Sequence, residues 1–178
     1  MKSTTKVMIH AFRLARQRAG SAAVEFAIVF PVMLVILAAT VDLGFAYYQK
    51  SRVGSAISAA AYYAVRNGAT LTSLNADLMR TTLEGIVRST LGMSSNITVS
   101  VLINNSANAV DASYYFCVSG YPPVYTSTGL TPASCSGNVT SGKYVTIRVT
   151  EQLQPLILST GFLSNVYGLD RFVVARVS

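Results

Sequence analysis

A basic arm ends at Gly20, and the segment after it is apolar except for one carboxylate: Arg16-Gln17-Arg18-Ala19-Gly20-Ser21-Ala22-Ala23-Val24-Glu25-Phe26-Ala27-Ile28-Val29-Phe30-Pro31. Residues 26–41 carry no charge, and between residues 21 and 48 only Glu25 and Asp42 interrupt the apolar and small residues. About 20 apolar residues cross a hydrocarbon core of about 30 Å, so 26–41 is slightly short unless Ala22, Ala23 and the stretch after Asp42 contribute. A segment of this kind constrains the fold more than anything else in the chain, because it is built for lipid. An acid near the centre of such a helix costs roughly 2.5–3.5 kcal/mol and is kept where something pairs with it. The short, fixed distance from Gly20 to Glu25 points to a new chain end made by a cut after Gly20.

Charge gives the segment a direction. Five of the 14 basic residues, Lys2, Lys6, Arg13, Arg16 and Arg18, precede Gly20, where no acid occurs. Lys and Arg flanking an apolar segment stay on the cytoplasmic side, which sends the rest of the chain across the membrane. Beyond Gly20 nine basic residues face seven acidic ones, so no basic stripe remains to track a phosphate backbone, and nucleic acid is not an expected partner. The two cysteines, Cys117 and Cys135, then lie in an oxidising compartment, where a disulfide is the expectation and two unpaired thiols the alternative. The sole histidine, His10, lies in the basic arm. His-based triads, a zinc site and other metal clusters are therefore not expected in the mature chain, and no cofactor motif follows a predicted strand.

The helical pattern runs past the apolar run, through Tyr47, Tyr48, Val53, Ile57, Ala60, Ala61 and Ala64. This continuation, with Glu25, argues against a removable secretory signal cut near Ala38-Ala39-Thr40. One helix over residues 21–67 is roughly 70 Å long, far more than a bilayer requires, so its second half stands outside the membrane. There Gly54-Ser55-Ala56-Ile57-Ser58-Ala59-Ala60-Ala61 offers a small-residue surface for the close approach of a sheet or another backbone. Pro31 is expected to kink or locally open the membrane half. Gly68 is expected to end the helix in a left-handed conformation. Asp42 is expected to mark the outer membrane surface, without a specific contact.

A cut after Gly20 leaves Ser21 first and Glu25 fifth, an arrangement that resembles the class III signal of type IV pilins and pseudopilins. More narrowly, residues 18–31 quoted above, followed by Val41-Asp42-Leu43-Gly44 and Ala59-Ala60-Ala61, resemble the TadE/TadF family of pilin-like proteins from tight-adherence (Flp pilus) systems. The resemblance covers residues 16–67. It implies processing by a prepilin peptidase between Gly20 and Ser21, and retention in the bacterial inner membrane as a single-pass protein, with the C-terminal domain periplasmic, or entry into a surface pilus. It also implies other pilin or pseudopilin subunits and the pilus assembly platform as partners. Glu25 would serve peptidase recognition or assembly, its carboxylate pairing with the free amine of a neighbouring subunit. Either charge alone is expensive to bury in low dielectric, whereas the two together attract strongly.

The rest of the chain reads as a small α+β domain. Leu74, Leu78, Leu83, Ile86, Val87 and Leu91 recur at helical spacing and predict a second helix over 75–90, capped by Asn75 or Ser73 and ended by Gly92. Strands are predicted at 97–103, 113–118, 144–150 and 171–178. An antiparallel sheet laid against the long helix is the economical arrangement. The organisation is thus a basic leader, 1–20; a transmembrane and extended helix, 21–67; and an extracytoplasmic domain, 68–178. Residues 120–142, rich in Gly, Pro, Ser and Thr, predict a long surface loop with Cys135 inside it and Cys117 at its base. Tyr114, Tyr115, Tyr121 and Tyr125 gather around that loop, chiefly as packing residues. Asn96-Ile97-Thr98, Asn104-Asn105-Ser106 and Asn138-Val139-Thr140 match a glycosylation pattern by chance if the host is bacterial. Asp77 and Glu84 read as a solvated helix face rather than an acid pair.

These features point to a structural protein, not an enzyme: a minor pilin or pseudopilin acting in pilus assembly and surface adherence. Two alternatives are an uncleaved signal-anchored periplasmic binding or sensor protein, and a secreted soluble protein or adhesin.

Overall fold

The computed structural model describes the backbone of residues 4–92, 97–154, 156–157 and 168–178, with side chains described from Ala22 onward. Helix α1, Thr4–Asn67, is 64 residues long, roughly 95 Å at 1.5 Å per residue, and runs unbroken through Pro31. Its first described stretch, residues 22–37, is exposed on all sides, while Ala46, Val53, Ala56, Ile57, Ala60 and Ala64 of its second half are buried. One helix therefore has two environments: an apolar section whose side chains at 22–37 are exposed among the described residues, then a one-sided amphipathic section docked on a domain.

A short 3-10 turn, Gly68–Thr70, closes α1 and leads to α2, Ala76–Leu91. The expected reason for Gly68 is corrected here. It does not have positive φ; its hydrogen faces Val177, into which a Cβ at Gly68 would collide. Gly92, by contrast, does take positive φ (76°) just past α2. The α2 stripe is also shifted from the expected one. Ala76, Met79, Leu83, Val87 and Leu91 face the core, whereas Leu74 and Leu78 are 96% and 70% exposed. Asn75 occupies the cap position, yet its side chain turns back to accept from the Thr72 N–H and donate to the Thr70 carbonyl.

Strands β1 (Ile97–Ile103), β4 (Tyr144–Gln152) and β5 (Gly168–Arg176) form an antiparallel sheet in the order β1-β4-β5. On β4 the period-two pattern puts Val145, Ile147, Val149 and Glu151 on the buried face, with Tyr144, Thr146, Arg148 and Thr150 opposite. Val99 and Val101 of β1 join them beneath α1 and α2. The small side chains Ala56, Ala60 and Ala64 let α1 lie close to this layer, so each replaced methyl there is felt.

A second, two-stranded sheet pairs β2 (Tyr115–Ser119) with β3 (Val124–Gly129), and a 3-10 turn, Ala109–Ser113, precedes it. Part of the expected loop 120–142 is therefore strand β3, and the β structure divides into two sheets. The Gly120-Tyr121-Pro122-Pro123 turn makes the hairpin, while β3 buries too little apolar surface to alternate clearly in sequence. Within the segment 154–170, residues 155 and 158–167 lie outside the described residues, as does Asn96 of the first glycosylation pattern.

Candidate functional site

The apolar half of α1 is the part of the molecule shaped for something other than its own domain. Val24, Phe26, Ile28, Val29, Val32 and Leu37 are all more than half exposed. The helix is long and apolar enough to cross a membrane. Tyr47 and Tyr48 follow at the C-terminal end of this apolar half, with Lys50 and Arg52 over their rings at 5.8 Å each. Tyrosines with cations beside them suit a headgroup layer. From Ala22 to Tyr48 the axial distance is about 39 Å, enough for a hydrocarbon core of about 30 Å with its edges.

Of the residues singled out in sequence, Gly20 and Ser21 lie in the helical backbone of α1, and their side chains, like that of His10, are outside the described residues. Glu25 sits one turn farther on, in the exposed section. Asp42, 17 positions after Glu25, lies about 25 Å along the axis from it.

Asp42 corrects the expectation of a plain surface marker. It is fully buried, and its Oδ1 accepts from the backbone N–H groups of Leu156 and Ile157 at 2.9 and 3.1 Å, with Oδ2 3.4 Å from the second. A carboxylate accepting main-chain N–H groups is among the stronger protein hydrogen-bond arrangements. It ties the end of the apolar section to a segment 114 residues away, which no local pattern could reveal.

The structure joins Cys117 and Cys135 in a disulfide, with Cα atoms 5.7 Å apart. It fastens β2 to the turn beyond β3, where the Cys135 N–H donates to the Val139 carbonyl at 2.8 Å. The tyrosines divide. Tyr121 is 90% exposed, whereas Tyr125 packs edge-on against Tyr144 at 6.0 Å, its hydroxyl 3.2 Å from Thr146 Oγ1. Between the hairpin and the outer sheet face lies an open groove of about 410 Å³, bordered by Pro122, Tyr125, Arg148 and Phe172.

Three polar devices that hold the domain together were not singled out in the sequence. Asn104, buried with φ 52°, donates to the carbonyls of Asp111 and Tyr114 and accepts from the Tyr144 N–H, which pins both sheets to the 3-10 turn. Lys143 is buried, donates to the Leu71 carbonyl and lies 5.1 Å over the Tyr115 ring; burial lowers its pKa. Arg52 reaches from α1 to the last carbonyls of α2, Thr90 and Leu91, a favourable place for a cation. Near it the buried Glu151 carboxyl is pushed up by burial, an effect partly opposed by Arg52. Asn104, within the second glycosylation pattern, was the nearest to a signal, and its role there is structural. Asp77 is exposed and pairs with Arg80 one turn on, whose own side chain is largely covered and also donates to the Ser106 carbonyl at 3.5 Å.

No curated protein and no solved structure matched the chain. A family model did: the one described as TadE-like protein matches residues 20–61, from Gly20 through the exposed section, Glu25 and Asp42 to the first small residues docked on the domain. Over that segment, about a quarter of the chain, it is similar to TadE-like proteins.

Proposed function

We propose that this protein is a minor pilin or pseudopilin of a Tad-type pilus, cut by a prepilin peptidase between Gly20 and Ser21 and acting in pilus assembly and adherence. The observation that carries the reading is the coincidence of the TadE-like segment, 20–61, with a helix whose apolar half is exposed on every side and whose other half anchors a folded domain. On this reading residues 1–20 are the discarded leader, 21–67 the membrane and assembly helix, and 68–178 the periplasmic domain. The inner membrane, the peptidase, other pilin subunits and the assembly platform are its partners. Its role is structural rather than catalytic.

On this reading the Glu25 carboxylate meets the amine of a neighbouring subunit in low dielectric, where opposite charges attract strongly. The test is Glu25→Ala expressed in piliated cells. The domain should fold as before, with its disulfide intact, while the protein fails to support piliation. Normal piliation by that variant would remove the pairing argument.

A further inference from the structure

We infer that the Leu156 and Ile157 turn is a second membrane contact, inserted among lipid acyl chains beside α1 and held at that depth by Asp42. The inference rests on the membrane-anchored reading of α1, and its experiment separates the two.

Three observations place the turn in lipid. First, Ile157 shares one continuous apolar surface with Leu34, Val35, Leu37, Ala38 and Val41 of α1, which lie on the membrane side of Asp42 and of the Tyr47 and Tyr48 pair. Leu34 is eight residues before Asp42, so this surface extends about 12 Å toward the membrane interior. Second, Leu156 and Ile157 are 60% and 59% exposed although both are apolar, and they adjoin a helix face that is itself exposed and apolar. The surface is continuous with the face that α1 presents to lipid, so acyl chains are its occupant. Third, main-chain N–H groups cannot stay unsatisfied in hydrocarbon, and Asp42 supplies acceptors to both N–H groups of this turn. Asp42 is thereby explained: an acid inside an apolar helix is retained because it is the acceptor for non-helical backbone at membrane depth. The arrangement also lets the helix after Asp42 count toward the span, which residues 26–41 alone fill poorly. The domain is fixed to the bilayer at two places, α1 and this turn, and its tilt on the membrane is restricted.

The experiment uses the full processed chain in phosphatidylethanolamine and phosphatidylglycerol vesicles at low protein-to-lipid ratio. An environment-sensitive fluorophore is placed on Ile157→Cys, on Val29→Cys in the span and on Val139→Cys in the disulfide loop. Cys117 and Cys135 are bonded and do not compete for label. The expected result is that the probe at 157, like that at 29, is blue-shifted and quenched by lipids brominated in the upper acyl chain, and shielded from aqueous iodide. The probe at 139 should show the reverse. Asp42→Leu should cost the probe at 157 most of its lipid quenching, while Asp42→Asn, which keeps an acceptor oxygen, should retain it. Iodide quenching at 157 equal to that at 139 would overturn the inference, and so would shielding from both quenchers, which would mean a protein partner covers the turn. Unchanged lipid quenching in Asp42→Leu would overturn the role of Asp42. If the probe at 29 also lies in water, the membrane-anchored reading itself fails; lipid quenching at 29 without it at 157 rejects only the second contact.

Discussion

Replacing Gly68 by alanine separates two reasons for a glycine at the end of a long helix. If the backbone needed positive φ, any side chain would suffer wherever Val177 went. The structure puts the constraint in a contact: Gly68 is buried, its φ is not positive, and the space a Cβ would take is filled by Val177, itself 5% exposed and held by its N–H to the Lys143 carbonyl at 2.9 Å. Forcing a methyl into a filled site typically costs about 1–3 kcal/mol, and the upper half of that range is expected because the opposing atom is a Cβ that cannot rotate away. Val177→Gly destabilises on its own by loss of burial. In that background the same Gly68→Ala change should cost no more than about 0.5 kcal/mol, the size of a substitution without a specific conflict. The coupling is then about 1.5–3 kcal/mol, within the range measured for residues in contact. Urea titration in mild detergent, followed by the near-ultraviolet tyrosine signal of the domain, reads all four proteins. An equal cost of Gly68→Ala with and without Val177 would refute the contact explanation.

Two further outcomes follow from the domain. Because burial raises the Glu151 pKa, the folded protein holds that proton more tightly than the unfolded chain. Its contribution is therefore full below the ordinary value near 4.5 and is lost as pH rises through the raised native value. Glu151→Gln should flatten that part of the urea-midpoint profile, and an unchanged slope would contradict it. On α2, Leu83→Ala should cost about 2–5 kcal/mol by leaving a cavity, whereas Leu78→Ser should stay within about 0.5 kcal/mol. Equal losses in thermal unfolding would mean that the exposed leucine is packed.

The contrast between Leu83 and Leu78 also shows how far the fold could be read in advance. The α2 pattern contains two adjacent apolar rows, and periodicity alone does not say which one turns inward when the row that wins is completed by Ala76 and Met79. The strong signals survived: α1 ends at Asn67, β1 spans 97–103 as expected, and the alternation along β4 has the foreseen faces. Strand β3 was hidden because an exposed hairpin needs no apolar alternation, only a turn and a partner. At the candidate site, the Gly20 to Glu25 spacing and the apolar run were local and visible. The bond from Asp42 to Leu156 and Ile157, and the hold of Lys143 on Leu71, join residues 72 to 115 positions apart, and only the folded chain brings them together.

The mature N-terminus tests the central claim most directly. The chain should be expressed with its prepilin peptidase, recovered from the membrane fraction and sequenced from its first residue by mass spectrometry of terminal peptides. The account predicts a chain that begins at Ser21, with Glu25 fifth, and that retains residues 26–41. A protein that keeps residues 1–20, or one that has lost the apolar section and left the membrane, would contradict it.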